Sequence, residues 1–199
     1  MPTLYYVLII HSVEDYGSLV QAIKEAFTKK YGGITFDNLQ KEIHGFWQTV
    51  EKRIKETIPD VRGLVIYHDG FPVGDREKVL ALFRYMCGDH PESPNFCLVK
   101  KLLKEGAVLE GTEDMNLVKE QLEMYRRATE SSSPEKQAEI LAAVSDCSNE
   151  ILKLRDIFIA QRIRDTLPES GRGILFIGRD HDVISELEKL PEKFTIIYL

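Results

Sequence analysis

Gly173-Ile174-Leu175-Phe176-Ile177-Gly178-Arg179-Asp180-His181-Asp182 joins an unbroken apolar run to a cluster of ionisable side chains. A continuous apolar run, rather than an alternating one, predicts a strand covered on both faces, as in a parallel sheet. Ligands of such sheets bind beyond the carboxyl ends of the strands. Gly178 is read as the point where the chain turns sharply, which places Arg179 to Asp182 at that edge.

Working outward, the same signature recurs. Leu4 to Ile10 is apolar and stops at His11, Gly63 to Tyr67 stops at His68-Asp69, and Gly106 to Leu109 stops at Glu110. Phe194 to Tyr198 supplies a last strand. Helical periods lie between them. The clearest carries Ile43, Phe46, Trp47, Val50 and Ile54; it is expected to start near Asp37-Asn38 and to close at Pro59. Gly74-Asp75 opens another helix, Thr112 or Asp114 is expected to cap a later one, and Pro134 to Leu167 forms one long helix or two joined near Ser145 to Asn149. Thr129 to Pro134 is a polar break, read as a loop within the domain. Strands alternating with helices imply α/β architecture: a single three-layer domain over residues 1–199, with a mostly parallel sheet of about five strands and helices on both faces.

Composition narrows the partners. With 43% hydrophobic and 29% charged residues, the chain has the make-up of a globular protein. A net charge of −6 argues against a nucleic-acid binder acting through a broad basic surface. No run approaches the ~20 apolar residues that span a bilayer, so no membrane partner is expected. The 3 cysteines, Cys87, Cys97 and Cys147, share no CxxC spacing, and a reducing, cytoplasmic location is expected. A small molecule is the expected partner; the sequence leaves the oligomeric state open.

In a parallel sheet the endings His11, His68-Asp69, Glu110 and Arg179 to Asp182 all fall on one edge, where Glu14, Asp15, Glu113 and Asp114 can join them. Imidazole with carboxylate suits a first-row divalent metal ion, for which His11, Glu110 and His181 are the candidate ligands. The same groups serve equally as general acid and base without a metal. No Walker A sequence, GxGxxG after the first strand, HExxH or GxSxG elbow is present.

Arg155 on a helix, followed by a strand ending in Gly178-x-x-His181, resembles the C-terminal half of the TraB/ChaN/erythromycin-esterase-like group. Glu110 fits that group's acidic strand end. His11 fits its N-terminal histidine, although Leu8 stands where a glycine is usual. The group includes metal-dependent peptidases, ester hydrolases and haem binders, so the resemblance implies no substrate. It does imply that Glu110, Arg155 and His181 form one site with His11 opposite.

Two readings follow. One is a hydrolase, metal-dependent or working by general acid–base catalysis, with His11, Glu110, Arg155 and His181 as catalytic residues. The other is a non-catalytic small-molecule-binding or sensor domain using the same pocket. Leu154 and Phe158 are expected to turn their helix toward the core, leaving Arg155 at the margin of the apolar face. A guanidinium there needs a carboxylate or an anionic ligand. Glu110 or Asp114 is its expected partner if its role is structural, and the cleft its expected environment if functional.

Overall fold

The computed structural model describes residues 1–12, 14–15, 20–129 and 134–199. The elements follow as β1 (Thr3–Ile9), α1 (Val20–Tyr31), α2 (Gly33–Thr57), β2 (Val65–His68), α3 (Arg76–Asp89) and α4 (Pro94–Lys104). After these come β3 (Val108–Glu110), α5 (Met115–Thr129), α6 (Pro134–Thr166), β4 (Arg172–Gly178), α7 (Val183–Glu188) and β5 (Thr195–Tyr198). The strands form one sheet of five, in the order β3-β2-β4-β1-β5, and every pairing is parallel. The α/β architecture with its parallel sheet is as the sequence predicts.

The opening stretch holds the centre. Ile174 to Ile177 of β4 are each 0% exposed, because β4 has neighbours on both sides and helices above and below. Successive side chains of a strand point to opposite faces, so each apolar run feeds two cores. Tyr5, Val7, Ile174 and Phe176 pack with α2, α3 and α4 through residues such as Trp47, Val50, Phe83 and Val99. Leu4, Tyr6, Leu175 and Ile177 pack against Ile159, Ala160 and Ile163 of α6 and Val183 and Leu187 of α7.

Boundaries depart from the sequence reading in a few places. α2 begins at Gly33 rather than near Asp37, because Gly32 at φ 89° reverses the chain in one residue after α1. α6 is one continuous helix of 33 residues, the first of the two forms that the sequence allows. Asp114 accepts a hydrogen bond from the Asn116 N–H at 2.8 Å and so caps α5, while the Thr112 hydroxyl turns inward to the His68 carbonyl at 2.7 Å. The expected polar break at Thr129 to Pro134 lies, from Glu130 to Ser133, outside the described residues. No helix among the described residues is long and apolar enough to cross a membrane.

Candidate functional site

With all strands parallel, their carboxyl ends share one edge, and the loops that leave it carry the polar residues. After β4 the chain makes a tight turn in which the His181 N–H donates to the Gly178 carbonyl at 3.2 Å. The chain turns at Gly178 as expected, and does so without a positive φ there. A Cβ there would lie 3.4 Å from Asp69 Oδ2 and 3.7 Å from the His181 ring, between the two groups that face each other.

The loop after β3 is steered by Gly111. A Cβ at this position would sit 2.0 Å from the Pro72 carbonyl oxygen, so only glycine lets the two loops lie together. Side by side, they zip through backbone bonds: Thr112 and Glu113 N–H to the Phe71 carbonyl at 2.9 and 3.0 Å, and Val73 N–H to the Glu113 carbonyl at 3.0 Å. This extended pairing carries Glu113 under the sheet edge, where it is buried.

Arg155 meets it there from α6. Its Nε and Nη2 donate to the two Glu113 carboxylate oxygens at 3.1 and 2.6 Å, Nη2 also donates to Asp69 Oδ1 at 3.0 Å, and Nη1 to Gln121 Oε1 at 2.7 Å. This planar, two-pronged contact is the geometry that arginine makes best. The next residue does different work. Consecutive helical positions point about 100° apart, and Asp156 falls on the buried stripe with Ile159, Ala160 and Ile163. Its Oδ1 contacts His181 Nδ1 at 2.5 Å and its Oδ2 accepts from the Asp182 N–H at 2.9 Å. A carboxylate only accepts, so Nδ1 carries a hydrogen, and in the neutral ring His181 Nε2 is left bare. That nitrogen stands 3.6 Å from Asp69 Oδ2, a gap too wide for a hydrogen bond and of a size that one bridging species spans.

Burial sets the carboxyls apart. Burial pushes both upward; for Asp69, His181, the Glu113 hydrogen bond and Arg155 together outweigh it and hold its carboxyl below the usual range. For Glu113, burial and the neighbouring Asp69 outweigh Arg155 and raise it. Their surroundings thus push the two carboxyls in opposite directions.

His11 lines the same cleft, of about 680 Å³, as Asp69, Arg155, Arg179, Asp180 and His181. Its Nδ1 lies 3.3 Å from Asp15 Oδ2, and Asp15 is fixed by the Ser12 N–H at 3.0 Å and the Ser93 hydroxyl at 2.5 Å. The hydrogen bond to Asp15 raises the His11 pKa despite opposition from burial. Ser93 also caps α4, so one hydroxyl ties that helix to the loop after β1.

The structure therefore brings His11, Arg155 and His181 to one cleft and takes Glu110 elsewhere. Glu110 pairs with Arg76 and, at 3.2 Å, with Arg162, and does not line the cleft. Glu113, three positions on, holds the acidic place beside Arg155, and Asp69 rather than Asp114 shares the guanidinium. His68 is buried between Phe96 and Phe176, with Nδ1 bound to its neighbour's carbonyl at 2.7 Å and Nε2 near Asn95 Nδ2 at 2.9 Å. Leu154, expected to face the core, is 52% exposed. The true inward stripe runs through Asp156, which sequence reasoning missed along with Gln121; the available signal was the phase set by Ile159, Ala160 and Ile163. Among the described residues, Asp69, Glu113 and His181 are the group whose ligand atoms all lie within 4.8 Å of one another. Two oxygens and an imidazole nitrogen fit a first-row divalent ion. His181 is thus common to this trio and to the set expected from sequence, with Asp69 and Glu113 in the places of His11 and Glu110. The chain matches no protein-family model, and no curated protein or solved structure is similar enough to count as a match.

Proposed function

We propose that the cleft is a hydrolytic site built from Asp69, Glu113, Arg155, Asp156 and His181, with His11 as a proton-transfer group. The observation that carries this reading is the clamp of Asp156 on His181, which presents a bare Nε2 toward the Asp69 carboxylate inside a cleft. An imidazole oriented by a buried carboxylate is the arrangement that both metal ligation and proton abstraction require. Asp69, Glu113 and His181 are the residues that would hold a divalent ion, and the ion would supply Lewis-acid polarisation of a carbonyl and a more acidic water. Arg155 keeps Glu113 and Asp69 in place and offsets part of their charge. His11, with its raised pKa, is suited to return a proton to a leaving group. The resemblance to the TraB/ChaN/erythromycin-esterase-like group supports the same choice of reaction class.

The test is hydrolysis of ester, peptide and phosphoester substrates, with and without added zinc or manganese and after chelation. The expected result is turnover of at least one class that falls about 100-fold or more in His181→Ala. Equal turnover by the wild type and His181→Ala would remove the site from the chemistry.

A further inference from the structure

The cleft is lined by apolar side chains as well as charged ones. Leu4, Tyr6, Leu8 and Ile10 follow the two-residue repeat of an extended chain and so fall in one row. Leu4 and Tyr6 are 0% and 6% exposed in the core beneath α6 and α7, whereas Leu8 and Ile10 are 39% and 42% exposed. Leu8 lies within β1, opposite Ile177 of the central strand, where side chains are normally sealed. On the N-terminal side of Ile159, Leu152 and Arg155 of α6 line the cleft.

The exposed end of the row is held in place. Trp47, buried in α2, donates its indole N–H to the Ile10 carbonyl at 3.0 Å, and the adjoining Phe46 lines the cleft. Leu8, Ile10, Phe46 and Leu152 thus line the same cleft as Asp69 and His181. These four side chains offer no hydrogen bond. A ligand resting on them gains only by leaving water.

We propose that this part of the cleft is an acyl-chain subsite. It takes an aliphatic acyl group of medium length, whose carbonyl lies toward Asp69 and His181. The proposal rests on the hydrolytic reading for the position of the carbonyl, but the subsite itself can be tested without turnover. Each methylene that enters should tighten binding about fourfold, the equivalent of ~0.8 kcal/mol per buried CH2.

The experiment is calorimetric or NMR titration of the protein with acetate, butyrate, hexanoate and octanoate, alongside hydrolysis of the p-nitrophenyl esters of the same acids. Octanoate is expected to bind at least about tenfold tighter than butyrate. Leu8→Ser/Ile10→Ser should flatten that dependence, as should Phe46→Ala, with folding followed by circular dichroism for each. If octanoate and butyrate bind alike, or if octanoate binding survives both variants undiminished, the subsite is overturned, whatever the esters show. If the chain-length dependence and its loss appear but no ester is cleaved, the subsite stands and the hydrolytic reading falls.

Discussion

Arg155 is the residue where structure and chemistry are hardest to separate, since it lines the cleft and is also bound on three sides. Its side chain is 11% exposed and faces two buried or half-buried carboxylates. Removing one member of a buried charge cluster leaves the others uncompensated, at a cost of about 3–5 kcal/mol. Arg155→Ala should therefore lower thermal stability strongly, and adding Glu113→Gln should recover part of the loss. Paired thermal denaturation of the single and double variants checks this; an unchanged melting temperature in Arg155→Ala would mark the arginine as purely functional. His68 makes a different prediction. It is fully buried, burial holds its pKa below 6.5, and its Nδ1–H is committed to the Asp69 carbonyl. A histidine whose folded pKa is depressed binds fewer protons folded than unfolded. Its contribution is thus complete above its unfolded pKa and is lost as pH falls from about 6.5 through the folded value. His11 is raised and works in the opposite sense, its contribution fading as pH rises through its folded pKa, but its side chain is 54% exposed and the effect is screened. Urea denaturation at pH 7.5 and 5.5 should show a loss at the lower pH that His68→Gln diminishes.

At the scale of elements, the loop after β3 shows what a sequence conceals. The strand itself was legible as Gly106 to Leu109 stopping at Glu110, close to the observed Val108–Glu110, and the acidic ending was legible too. What decided between Glu110 and Glu113 was Gly111, whose missing side chain lets the chain run along Pro72 and Val73 before it leaves the sheet. That is a contact between loops some forty positions apart, and no local pattern encodes it. Asp156 was hidden for a related reason. The period of α6 admits more than one phase, and Leu154 and Phe158 gave the wrong one. Gly111→Ala should shift the loop and displace Glu113, costing about 2 kcal/mol or more and weakening any divalent ion binding at the trio. Gly45→Ala is the matched control. Gly45 lies inside α2 with open space where its Cβ would go, so alanine there should stabilise by about 0.5–1 kcal/mol. Chemical denaturation of the two variants separates the cases, and a Gly111→Ala protein as stable as wild type would mean that the loops do not depend on their close approach.

For the whole molecule, apolar runs bounded by polar endings were enough to announce a parallel sheet, because burial on both faces imposes a composition that few other settings need. The order of the strands was not readable. Nothing in β4, near the end of the chain, says that it lies between β1 and β2, since that depends on which crossovers pack best once both cores close. This order has a measurable consequence. β4 pairs along its length with β1 and also with β2, and its Ile174 to Ile177 are sealed on both faces. β3 and β5 are outer strands with three- and four-residue pairings. Amides that open only with the whole fold should therefore cluster in β4 and the paired part of β1, while β3 and β5 open locally at lower free energy. Hydrogen–deuterium exchange should find β4 slowest. Truncating Phe176 to alanine, at a cost of about 3–5 kcal/mol, should speed exchange in β4 and β1 together while leaving the locally opening amides of β3 and β5 nearly unchanged. Exchange in β5 as slow as in β4 would instead mean that the sheet opens as one unit from edge to edge, and the graded order from centre to rim would be wrong.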